Sequence, residues 1–166
     1  EILEPCPGCG ALFPPGGAGH PYIGASPGCW AVYGEVLARE YGEYGFPPVH
    51  TLTVDAYAAQ HPGKPSPEVI QSVAVHLVGL YVILERGFEL HKASRVTSEA
   101  AAYRTRYGWL EPPDLTACLT IQDAAAADSL ARHEDRVWEW ARSVWDAWTP
   151  HHATIKNWSN LVLSRG

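Results

Sequence analysis

The chain has no methionine, three phenylalanines, four cysteines and few charges, which make up 18% of its 166 residues. It also lacks the recurrent glycine and nucleophile signatures: no G-x-G-x-x-G, no phosphate-binding loop, no G-x-S-x-G and no H-E-x-x-H. A dinucleotide fold, a P-loop enzyme, an α/β-hydrolase and a zincin are therefore unsupported. The zinc-deaminase pattern is incomplete too, because the C-x-x-C stands at the start of the chain with no H-x-E before it. Basic charge is short as well. Lys and Arg number 12 against 18 Asp and Glu, and the resulting net charge of −6 repels a phosphate backbone, so no nucleic-acid partner is expected. No uninterrupted apolar run approaches a membrane span and no basic segment leads into an apolar one, so no membrane partner is expected either. Glu1 stands where an initiator Met would, which predicts a trimmed form. With four cysteines in a chain of this size, the thiols are expected reduced and the protein cytoplasmic.

What is present suits a folded core. Hydrophobic residues make up 46%, too many for a disordered chain. A chain of this mass exposes roughly 8,000 Å² once folded and is expected to form a single domain over 1–166. The first 28 residues are dense in Gly and Pro and read as loop. Ser26-Pro27 and Ser66-Pro67 are helix starts, with Ser capping and Pro at the first helical position. They predict helices over 27–41 and 69–85, the second apolar nearly all round. Thr53 is read as the cap of a short helix over 54–61, stopped by Pro62-Gly63. Segment 88–123 mixes weak preferences and reads as loops, short helices and a hairpin. Val137, Trp138, Ala141, Val144, Trp145 and Trp148 share one face of a long helix over 124–148, and Thr149-Pro150 opens a last helix to 163. The fold class is mainly α: a compact helical bundle over 27–163 with a loop-rich N-terminal metal-binding knuckle.

The sharpest chemical signal is Cys6-Pro7-Gly8-Cys9-Gly10. Two thiolates two residues apart can reach one tetrahedral metal, but zinc at a structural site takes about four ligands, so this is half a site. Cys29, in the first turn of a capped helix whose N-terminus favours thiolate, is the third candidate. His50 and His61 lead as the fourth, with His20 also in a neighbouring loop. A redox pair and an incidental loop pair are the competing readings of Cys6 and Cys9. His61 closes a run in which Asp55, Tyr57 and Gln60 gather within two turns. His76 lies in an apolar stretch, Ser72 to Leu80, where an imidazole needs a polar partner. Asp55, His61 and His76 are therefore the candidate acid-base residues, with Gln71 or Ser72 as support. Only one of His151 and His152 can face inward. His91 and His133 stand in charged surroundings and read as surface, Cys118 as a packed hydrophobe, and the tryptophans as a core seam.

With Cys6-Pro7-Gly8-Cys9-Gly10, Ser26-Pro27-Gly28-Cys29-Trp30 and the run Val54 to Gly63, the chain resembles a bacterial family known as a domain of unknown function. The likeness extends over most of the chain, including Ser72 to His76 and Trp145 to His152. It implies a relationship and brings no activity.

The expectation is a zinc protein with Cys6, Cys9, Cys29 and one His as ligands. The leading reading is a zinc-dependent hydrolase or lyase acting on a small molecule; the alternatives are a small-molecule or protein-binding module with a structural zinc and, second, a thiol redox protein. Oligomeric state is left open.

Overall fold

The computed structural model describes residues 2–165. Its accessible surface of 8259 Å² matches the scaling value for this mass. The architecture is mainly α. A two-residue antiparallel ladder, β1 (Glu4–Pro5) with β2 (Leu12–Phe13), precedes seven helices. These are α1 (Pro27–Tyr41), α2 (His50–Gln60), α3 (Pro67–Leu84), α4 (Leu90–Ala100), α5 (Ile121–Ala125), α6 (Leu130–Ala147) and α7 (His152–Leu163), with 3-10 turns at Ala101–Arg106 and Thr149–His151.

The two Ser-Pro starts behave as capping chemistry requires. Ser26 Oγ accepts the Cys29 amide at 3.1 Å and Ser66 Oγ accepts the Val69 amide at 3.1 Å, each satisfying an otherwise orphaned donor. At α2 the expectation needs correction. The helix begins at His50, and Thr53 is not its cap but a buried interior residue whose hydroxyl donates to Glu40 Oε2 at 2.6 Å. Segment 88–123 also holds more helix than expected and, among the described residues, no hairpin: α4 occupies 90–100, its buried stripe made of Ala93, Val96 and Ala100. The long helix expected over 124–148 is two helices, because Ser129 accepts the Arg132 amide and starts α6 afresh after α5 has ended. The last helix opens with a 3-10 turn and becomes α-helical at His152.

Eight of the eleven residues of α2 are buried, which makes it the hub on which α1, α3 and α6 pack. Its polar groups are satisfied from several sides. Gln60 Oε1 accepts the Trp140 indole N–H at 2.8 Å, and its amide nitrogen donates to the carbonyls of Leu115 and Leu119. Trp148 donates to the Ala59 carbonyl at 3.1 Å. Trp140, Trp145 and Trp148 thus form a core seam, each buried indole with a partner, whereas Trp138, expected on the same face, is 40% exposed. Helix α3, at 18 residues and mean hydropathy 1.6, is long and apolar enough to cross a membrane by length and composition, contrary to the expectation for this sequence. Here it lies against α2, α4, α6 and α7, with 56% of its residues buried.

Helices α1 and α2 run antiparallel and are joined at three levels. Cys29 meets His61 at one end, Tyr33 stacks on Tyr57 in the middle with ring centroids 3.8 Å apart, and Glu40 meets His50 at the other end. That pairing fixes where the functional side chains lie.

Candidate metal centre

The C-P-G-C-G turn follows β1 directly. Cys6 N–H bonds the Ala11 carbonyl at 2.8 Å and Gly10 N–H bonds the Cys6 carbonyl at 2.9 Å, which closes a tight knuckle with both sulfurs on its inner side. Gly10 makes the bend at φ +76°, a conformation that favours glycine. Gly8 answers a different need. A Cβ there would lie 2.6 Å from His61 Cδ2 and 2.9 Å from the Gln60 carbonyl, so only a bare backbone lets the knuckle seat against the end of α2.

Opposite the knuckle stand Cys29, from the first turn of α1, and His61, just past the end of α2. One donor atom from each of Cys6, Cys9, Cys29 and His61 lies within 4.8 Å of every other. The four residues are 2%, 1%, 0% and 0% exposed. A tetrahedron with bonds of about 2.3 Å has edges of about 3.8 Å, and donors within 4.8 Å of one another are compatible with it. A buried Cys3His group of this kind can bind a metal ion.

Its surroundings prepare the histidine. His61 Nδ1 lies 2.7 Å from the Tyr57 carbonyl, which only accepts, so Nδ1 carries the proton and the Nε2 lone pair faces the sulfurs, 3.5 Å from Cys29. Tyr57 is the second support. Its hydroxyl lies 3.3 Å from Cys29 Sγ and its ring stacks on His61 at 4.0 Å. Burial, followed by the nearby Cys29 sulfur, pushes the phenol far above its ordinary value, so it stays a neutral donor.

The thiols are electrostatically divided. Hydrogen bonds from Cys29 and then Cys9 hold Cys6 far below the ordinary thiol range. Cys29 also lowers Cys9, but Cys6 and burial outweigh it and lift Cys9 to about 11. Cys29 is driven well above its ordinary value by Cys6, then Cys9 and burial. One negative charge is comfortable in this cluster and three are not, unless a cation neutralises them.

The structure separates the other candidates. His50, expected as a possible alternative ligand, lies at the far end of α2 with Nδ1 2.9 Å from Glu40 Oε1, because α2 starts at His50 and carries it some eleven residues from His61. His20 is half-buried against Trp30 and accepts the Tyr22 amide at 3.0 Å. His76 and Asp55 form their own pair, Nδ1 to Oδ1 at 2.7 Å. Asp55 Oδ2 is buried without a partner among the described residues and rests against Gly79. Burial raises the Asp55 carboxyl, and the His76 bond opposes the rise. Of the two C-terminal histidines, His152 stacks on Trp145 at 3.8 Å while His151 reaches the Glu111 carbonyl at 2.8 Å. Cys118 is half-buried, with its thiol 3.5 Å from the Ser143 carbonyl.

A second buried cluster escaped the sequence reading. Glu40 is 0% exposed and its carboxylate receives His133 Nε2 at 2.7 Å, Thr53 Oγ1 at 2.6 Å and His50 Nδ1 at 2.9 Å. Burial alone would raise Glu40, but these three bonds outweigh it and hold the carboxyl below its ordinary value. His133, read from sequence as a surface residue, is fully buried. The signal lay in register: 133 precedes Val137 by four and Trp140 by seven, on the apolar stripe of α6.

No curated protein and no solved structure matches the chain. Residues 4–149 match the profile of a family of unknown function, DUF5946, and the chain belongs to that family.

Proposed function

We propose that this protein is a zinc-stabilised helical binding module in which Cys6, Cys9, Cys29 and His61 hold one structural zinc. The observation that supports this reading is the burial of all four donor residues, one donor atom of each within 4.8 Å of every other, with Cys and His as the only ligand types. Structural zinc sites take four protein ligands, whereas catalytic ones keep a position for water. Three thiolates and an imidazole are also the donor set that a borderline-soft dication prefers over magnesium or calcium. The ion would clasp the N-terminal segment onto α1 and α2 and leave the helical surface to recognise a ligand.

The test is metal content by mass spectrometry on protein purified without added metal, paired with X-ray absorption at the zinc edge. One zinc per chain with three sulfurs and one nitrogen is expected. An oxygen in that shell would overturn the structural assignment in favour of metal-assisted hydrolysis or lyase chemistry. A metal-free chain with a reversible Cys6–Cys9 disulfide would return the knuckle to redox.

One observation favours a catalytic reading separate from the metal. Asp55, 2% exposed, orients His76, whose Nε2 has no hydrogen bond among the described residues and whose side chain is 24% exposed. A carboxylate that fixes an imidazole tautomer at the surface is the geometry of a general base. His76→Ala would abolish such activity and leave metal content unchanged.

A further inference from the structure

The turn that follows α3 brings three cations around one apolar hollow. Gly87, at φ +68°, reverses the chain so that Phe88 N–H bonds the Val82 carbonyl at 2.9 Å, which sets Arg86 and Phe88 beside the start of α4. Phe88, Lys92, Arg95, Val96 and Glu99 then follow at the spacing of one helical face. With Arg86, and with Leu163 from α7, they line an open pocket of about 530 Å³ whose charged side chains are exposed. This volume suits a small organic molecule. Its apolar side is Phe88, Val96 and Leu163.

The charge on the other side is out of keeping with the rest of the chain. Of 12 Lys and Arg in a chain of net charge −6, three line this one cavity against a single carboxylate, Glu99. Among the described residues none of the three forms an ion pair. Arg86 and Lys92 instead lie over the Phe88 ring, 5.7 and 4.2 Å from its centroid. Lys92 sits in the first turn of α4, where the helix dipole disfavours a cation, three residues after the N-cap Glu89, whose carboxylate accepts the Lys92 amide at 3.1 Å. Three like charges around an apolar hollow repel one another, and an anion bound among them removes that cost.

From this we infer that the cavity between the α3–α4 turn and α7 is a binding site for a small organic anion. The carboxylate or phosphate of the ligand meets Arg86, Lys92 and Arg95, and its apolar body lies on Phe88, Val96 and Leu163. The inference deepens the binding-module reading by naming a ligand class for it. It needs no chemistry at the metal.

The experiment is calorimetric titration of the metal-assayed full chain with phenylacetate, phenyl phosphate, inorganic phosphate and benzyl alcohol. Either aromatic anion should bind at or below about 1 mM, at least tenfold more tightly than benzyl alcohol. Which of the two binds better distinguishes a carboxylate from a phosphate ester. Lys92→Gln and Arg95→Gln should each weaken the anion about tenfold, and Glu99→Gln should strengthen it, while tryptophan emission and melting stay as in the parent. Equal affinity for benzyl alcohol and phenylacetate, no change in the Lys92 and Arg95 variants, or no binding of either aromatic anion would overturn the inference. A zinc-loaded chain that binds no anion sinks this site and spares the structural zinc; a metal-free chain that binds phenylacetate does the reverse.

Discussion

Helices α1 and α2 are fastened at their two ends by opposite kinds of chemistry. At one end three sulfurs and His61 gather where a metal ion could bind; at the other, Glu40 gathers Thr53, His50 and His133 through hydrogen bonds. Both clusters are buried, and both join parts of the chain that are remote in sequence. They differ in how the charge is met. The carboxylate is matched by three donors already in place, so its cost of burial is met within the fold. The thiol cluster can ionise fully only beside a cation, so on the proposed zinc reading the end it fastens depends on an ion from outside.

Removing the proposed zinc should have the largest effect. Structural zinc binds zinc-finger peptides with about 10–16 kcal/mol, as much as the whole stability of a typical domain at about 5–15 kcal/mol. Cys29→Ser, or a strong chelator, should therefore remove the cooperative thermal transition by circular dichroism, and readdition of zinc should restore it only in the parent. Glu40→Ala tests the other end. It leaves His133 buried without its acceptor, a loss of about 3–5 kcal/mol, with metal content unchanged. If Glu40→Ala also lost the metal, the two ends would not be independent.

A milder probe is Gly8→Ala. The added methyl meets His61 and the Gln60 carbonyl, and metal affinity measured by chelator competition should fall about tenfold or more, with the Glu40 end untouched. His50→Ala removes one of three donors from a carboxylate at a site where the imidazole is 14% exposed, so about 1 kcal/mol is expected. Zinc stoichiometry should not change; a loss would restore His50 as a ligand. The smallest effect is acid sensitivity. Because Glu40 is held below its ordinary value, the unfolded chain takes up its proton first, and stability falls as pH drops below about 4.3. Asp55 has the opposite sign, since its carboxyl is raised. Its contribution is present below about 3.9 and is lost as pH rises through the folded value. Melting curves of Glu40→Gln and Asp55→Asn across this range should lose these slopes in opposite directions.

The comparison also explains what the sequence disclosed. The knuckle is legible because two thiols two residues apart can reach one ion, and Cys29 stands in a first turn marked by Ser26-Pro27. Glu40 and His133 are 93 residues apart and of residue types found on any surface, so spacing carried no warning. His50 was misplaced because α2 starts earlier than its Thr53 suggested. Helix α4 was hard to see since its buried face is Ala93, Val96 and Ala100, too small to raise a strong apolar period. The break between α5 and α6 hid in a run of alanines, the best helix formers, and was decided by Ser129 and by packing. Where a local rule fixed the outcome, as at the two Ser-Pro caps, sequence and structure agree.

The position of the four sulfur and nitrogen donors also sets an order of assembly. All lie within the first 61 residues, whereas Glu40 waits for His133. A ribosome delivers the chain from its N-terminus at about 5–20 residues per second. The sulfur end is therefore chemically complete seconds before the carboxylate end can be. With the zinc proposed above, a cell short of the ion would release chains whose later helices arrive to find their first anchor missing.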